Sequence, residues 1–290
     1  MMGIAFAAKA IATAFRKPYM LAFAALAAAA FGVVAYAFPI FKIISAVSLF
    51  EGADIGLSVI YVLKVIMRHA LSAETLTYAA VGMAGLSLVG GLYLSFALGG
   101  AFAACEPERL GFRRYLSSSV RSIPHMLLAT FVSVLVACAF AVAAVIASVP
   151  AIVVTRAVLV GGLAIFNEMV FLDFVTVVTI LICYCFIRVY LTFWLVSVFY
   201  YGQSFRSGKK LAETAFWSTM LRLLSLDAAF VAMQAAMSPI NGQAAGIAVI
   251  WAVNTAYLAF GTAYTFIVYG KVRDAYVKGP HGGSAPIRQA

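Results

Sequence analysis

Apolar residues run in long uninterrupted blocks along this chain, and the polar residues gather in short stretches between them. Six blocks stand out, at about 19 to 40, 77 to 103, 125 to 149, 174 to 201, 221 to 238 and 245 to 269. A helix needs roughly 20 apolar residues to cross a hydrocarbon core of about 30 Å. The blocks do not alternate polar with apolar, as barrel strands of roughly ten residues must, and a stretch such as "LAFAALAAAAFGVVAYAF" is apolar on every side. The pattern predicts six transmembrane helices in residues 1–270 and a polar tail over 271–290.

Composition supports this: 65% of the 290 residues are hydrophobic and 10% charged, against about 25% charged in a soluble domain. Lys9, Arg16 and Lys17 precede the first block, whose end near Ala35 and Ala37 has the A-x-A form of a signal-peptidase site. That block is longer than a signal h-region of roughly 7 to 15 residues, so a retained span is expected.

The basic residues are distributed unevenly. Counting loops alternately, fifteen fall on one side, from Lys9 through Arg109, Lys209 and Arg222 to Arg288, and four on the other, Lys42, Lys64, Arg68 and Arg156. Cytoplasmic loops carry such an excess, so both termini are expected on the cytoplasmic side, or the matrix or stromal side of an organelle. A bacterial plasma membrane and an organellar inner membrane fit equally. The net charge of +10 is then a consequence of topology and of attraction to anionic lipid headgroups; nucleic acid need not be invoked.

Three segments on the basic side share a shape: "AKAIATAFRKPYMLAF" from Ala8, "RRYLSSSVRSIPHMLLATF" from Arg113 and "GKKLAETAFWSTMLRLLSL" from Gly208. Each starts with basic residues, continues with an aliphatic (Ile11, Leu116, Leu211) and enters a span, with Pro18 and Pro124 at the first two junctions. The expected unit is an interfacial amphipathic helix plus a transmembrane hairpin, used over about 8–103, 113–201 and 208–270. Its basic residues, Lys9, Arg16, Lys17, Arg113, Arg114, Arg121, Arg206, Lys209 and Lys210, would form a collar at the headgroups, serving as an anchor or as a site for anionic lipid or a protein partner. The stretch "QSFRSGKKLAETAFWSTMLRLLSL" and the six-span layout resemble the bacterial multi-pass membrane domains found beside glycerophosphodiester phosphodiesterases. That resemblance implies no catalytic residues, because the hydrolytic part of those enzymes is a separate soluble domain.

Within the second block Ser87, Gly91, Ser95, Gly99 and Ala103 recur every fourth residue. Such a stripe lets helices approach closely, inside the bundle or against another subunit. Of the connections on the other side, "GLSVIYVLKVIMRHAL" places Tyr61, Lys64, Arg68 and Ser72 opposite Val59, Ile60, Leu63, Ile66 and Met67. It is expected as an amphipathic helix on the outer membrane surface or as a lid. The connection "AIVVTRAVLVGGLAIFNEMVFLDF" is expected as an apolar loop.

One charge interrupts the fourth block: Arg188, in "LICYCFIRVYLTFWLV". An intramembrane arginine is costly and should have a partner. The short connection to the fifth block makes the two helices antiparallel neighbours, and Asp227 lies about 9 Å shallower by helix rise, within reach of a leaning arginine. Gln234 follows two turns later, and Asn254 and Tyr257, with Gly261 and Tyr264, form a stripe on the sixth block. Two readings stand. In one, Arg188 and Asp227 staple two helices; in the other, the cluster lines a polar path or binds an anionic group through the guanidinium fork.

No H-E-x-x-H, Walker A or G-x-S-x-G motif is present, His69, His125 and His281 lie in unrelated segments, and Cys105, Cys138, Cys183 and Cys185 match no zinc or redox spacing. No cofactor, metal or catalytic residue is expected. The leading expectation is a non-catalytic subunit that anchors or assembles a membrane complex; the alternative is a transporter or channel-like protein for a small solute, ion or lipid.

Overall fold

The computed structural model describes residues 9–12, 18–37, 55–105, 112–161, 166–201, 205–237 and 244–278. Among them every regular element is helical: α1 (Pro18–Ala37), α2 (Ile55–Ala70), α3 (Ala73–Cys105), α4 (Phe112–Gly161), α5 (Phe166–Tyr201), α6 (Phe205–Thr214), α7 (Phe216–Met237) and α8 (Ala244–Lys278). Five of them, α3, α4, α5, α7 and α8, are long and apolar enough to cross a membrane. The chain is an all-α polytopic membrane protein. α1 is 20 residues long and carries no charged residue.

Two compact units share the chain. The first comprises Met1–Val34, Leu86–Ser133 and Phe186–Ala290; the second comprises Ala35–Gly85 and Val134–Cys185.

In the first unit the predicted stripe on α3 does pack closely within the chain. Ser87 and Ser95 are buried, and a Cβ on Gly91 would come within 2.7 Å of the Leu127 side chain and 2.9 Å of its Cα on α4. A Cβ on Gly99 would strike Ser119, also on α4. The surroundings of Ala103 lie outside the described residues. Because lipid supplies no hydrophobic drive between helices, this close van der Waals approach is what joins α3 to α4. Phe23 of α1 stacks on Phe96 of α3 at 4.3 Å. Tyr93 of α3 donates to the Leu258 carbonyl at 2.7 Å, its hydroxyl 2.8 Å from that of Thr262 on α8, and the Trp251 indole of α8 donates to the Ala25 carbonyl of α1.

The three basic segments differ from one another. The first contains a helical turn at residues 9–12, and Ala10, not Ile11, is buried. The second is no separate helix: Arg113, Arg114 and Arg121 stand in the opening turns of α4, which runs on through Pro124. Pro124 is thus not a restart, unlike Pro18, the first residue of α1, where a missing N–H costs nothing. Tyr115 is buried there and Leu116 is exposed, since a one-residue shift turns a helix side chain by about 100°. The third segment is the separate helix α6, with Leu211 and Ala212 buried and Gly208 pressed on the α5 backbone, where a Cβ would lie 2.8 Å from Trp194 Cα. Lys9, Arg121, Arg206, Lys209 and Lys210 are exposed. Arg16 and Lys17 lie outside the described residues, as do the side-chain surroundings of Arg113 and Arg114.

The second unit corrects one expectation. Most of the supposed apolar loop is helix, because α4 continues to Gly161 and α5 already starts at Phe166; Thr155 donates to both carboxylate oxygens of Asp173 at 3.1 and 3.0 Å. The amphipathic helix expected in this unit is α2, and its inward face covers another helix: Val62 and Ile66 are buried with Val149 and Val153 of α4, with Val59 and Leu63 alongside. The buried row, Ser58, Val62 and Ile66, follows the four-residue helical repeat, and of the apolar positions Ile60 and Met67 are exposed. Ser72 caps α3 by accepting from the Thr75 N–H, with Glu74 in the first turn, an arrangement that satisfies a helix start.

Candidate functional site: an ion pair among three helices

Arg188 sits in the C-terminal half of α5, next to the fully buried Val189. Asp227 lies one turn after the buried Leu223 of α7, so the same face that packs into the bundle carries the carboxylate. The guanidinium meets it side-on, Nε to Oδ2 at 2.9 Å and Nη2 to Oδ1 at 3.2 Å. Their side chains are 31% and 13% exposed, so Asp227 is largely shielded.

Two hydroxyls join the pair. Thr192, one turn after Arg188, accepts from Nη1 at 3.1 Å; Tyr257 of α8 donates to Asp227 Oδ1 at 2.6 Å. Phe230, one turn after Asp227, stacks on the Tyr257 ring at 3.9 Å and orients its hydroxyl. Farther along α7, Gln234 donates to the Asn254 side-chain oxygen at 2.6 Å. The five predicted polar residues therefore form two polar rungs between α7 and α8, and the first rung also takes in α5. Tyr264 of the expected stripe is buried and stacks with Phe260, and at Gly261 a Cβ would make only ordinary contact with Leu226.

Thr192 and Phe230 were not singled out from the sequence. The helical spacing of four from Arg188 was the available signal for Thr192; for Phe230 there was none beyond its place on the Asp227 face. Cys183 and Cys185, two residues apart, do face different ways: the first is exposed and the second buried.

Chemically, the arrangement is a neutral, charge-assisted cluster. An arginine fork recognises a carboxylate or phosphate through two parallel N–H groups, and here Asp227 occupies that fork. No family model, no curated protein and no solved structure matches this chain.

Proposed function

We propose that this chain is a non-catalytic integral membrane subunit that anchors or assembles a larger membrane complex. It would have six spans, α1 supplying the sixth, and both termini on the cytoplasmic, matrix or stromal side of a bacterial plasma membrane or organellar inner membrane. The observation that carries the reading is the closure of the Arg188 cluster. Its guanidinium is matched by a carboxylate on a neighbouring helix, which in turn is held by a tyrosine on a third. Such a cluster specifies which helices pack together and leaves the arginine fork committed within the chain. The exposed basic residues Lys9, Arg206, Lys209 and Lys210 would suit anionic lipid headgroups as a second partner.

Extraction of the tagged native protein in a gentle detergent, with size analysis and mass spectrometry, tests this. The expected result is a stoichiometric complex of several polypeptides. Recovery of a lone monomer would overturn the reading and favour the second one, a polar path for a small solute, ion or lipid. That alternative is supported by the partial exposure of Arg188. Arg188→Gln should then abolish uptake or lipid binding in reconstituted vesicles.

A further inference from the structure

The short helix α6 divides into two faces. Gly208, Leu211 and Ala212 are buried, and Arg206, Lys209, Lys210 and Glu213 are exposed. By helical periodicity the exposed four share an arc of about 100° on the side away from Gly208. Gly208 meets α5 on its flank, because a Cβ there would lie 2.8 Å from Trp194 Cα, about 10 Å by helix rise before the end of α5 at Tyr201. α6 also packs against α7 and α8. Its outward face therefore looks sideways, across the axis of α5, and not along that axis beyond the helix end.

The charges on that face are unevenly matched. Lys209 has Glu213 at 3.7 Å, whereas the side chains of Arg206 and Lys210 have no ion pair or hydrogen bond among the described residues. They stand one helical turn apart, a spacing at which like charges repel. An anion held between them removes that repulsion. Trp217, just past the end of α6 at Thr214, is 71% exposed, and tryptophan gathers at the headgroup level, where its ring meets the acyl boundary and its N–H meets water. A sideways-facing basic helix followed by an exposed tryptophan suits a membrane leaflet, which offers phosphate and an apolar boundary side by side. An acidic protein surface would match the cations and leave the indole unexplained.

We propose that α6 is an anionic-lipid site, in which Arg206 and Lys210 take the phosphate of a negatively charged headgroup and Trp217 sets the depth of the contact. This deepens the anionic-lipid part of the reading above, on which it rests, and is independent of the subunit part. The guanidinium offers paired N–H donors to phosphate oxygens, and the ammonium adds a mobile point charge. A zwitterionic lipid brings its own cation to the same place, so the site selects lipid by net charge.

Brominated lipids quench tryptophan on contact, and the full chain in phosphatidylcholine nanodiscs, doped with equal small fractions of either brominated phosphatidylglycerol or brominated phosphatidylcholine, tests the assignment. The difference between the unaltered chain and Trp217→Phe isolates the Trp217 signal. The expected outcome is at least about threefold stronger quenching of Trp217 by the anionic lipid. Arg206→Gln with Lys210→Gln should bring the two lipids to equality, while Arg206→Lys with Lys210→Arg, which keeps the charge, and Lys9→Gln with Arg121→Gln, which alters exposed cations outside α6, should keep the preference. Equal quenching in the unaltered chain would overturn the proposal, and so would a preference that survives the loss of both α6 cations. A preference lost only in the Lys9 and Arg121 variant would retain anionic lipid as a partner and sink the α6 site, whereas a purified protein that retains no anionic lipid and shows equal quenching removes both. Loss of an acidic protein from the native complex on Arg206→Gln with Lys210→Gln, the lipid preference being unchanged, would reassign α6 to a protein contact.

Discussion

At Arg188 the energetics are those of a pair removed from bulk water. Each ion loses hydration, and the mutual attraction plus the Thr192 and Tyr257 hydrogen bonds offset that loss. Breaking the pair from one side leaves an uncompensated charge. Asp227→Ala is therefore expected to lower the unfolding free energy in detergent by roughly 3 kcal/mol, at the low end for a buried pair because Arg188 is partly exposed. Replacing both residues together, Arg188→Met with Asp227→Leu, should recover most of that loss, since an apolar pair of similar volume carries no desolvation cost. If the double variant is as unstable as Asp227→Ala, the cluster is more than a staple. Tyr257→Phe removes one hydrogen bond to a charged acceptor and should cost about 1.5 to 3 kcal/mol in the same assay.

Close approach decides the packing at the scale of elements. Gly91 lets α3 lie against the α4 backbone at Leu127, and a methyl group there must push helix from helix. Gly91→Ala is expected to destabilise the protein by about 1 to 3 kcal/mol through overpacking. Gly32→Ala on α1, where a Cβ meets nothing within 4 Å, should be neutral or slightly stabilising, because alanine is the better helix former. Equal melting temperatures for the two variants would contradict the packing argument. Serines in the apolar stretches are accommodated differently: Ser133, Ser148 and Ser225 each return the hydroxyl to the carbonyl four residues earlier, which satisfies the group inside its own helix. The amphipathic α2 buries Val62 and Ile66 against α4, and its exposed positions include both Lys64 and Ile60.

For the whole molecule, the distribution of basic residues leads to a test of orientation. With cysteines introduced at Lys9, Lys271 and Lys64, a membrane-impermeant thiol reagent applied to intact cells or organelles is expected to label the Lys64 position alone. Labelling at Lys9 would reverse the orientation. The class of this protein and the approximate helix positions were legible in the sequence alone, because a hydrocarbon environment demands long apolar runs whose backbone groups are satisfied internally. The pairing of Arg188 with Asp227 was legible too, since few groups in the bundle can neutralise an arginine and the short connection makes their helices neighbours. Helix ends were less so: nothing in residues 150–161 or 166–173 separates an apolar loop from an apolar helix, and only the pairing of α4 with α5 through Thr155 and Asp173 shows the difference. The tertiary structure alone decided which side of α2 turns inward, that the second basic segment fuses with its span, and that Ala10 and Tyr115 are buried in place of Ile11 and Leu116. The physical reason is common to all three: in a chain this apolar, hydrophobicity says that a helix is present, but a partner helix at van der Waals distance is needed to choose the buried face.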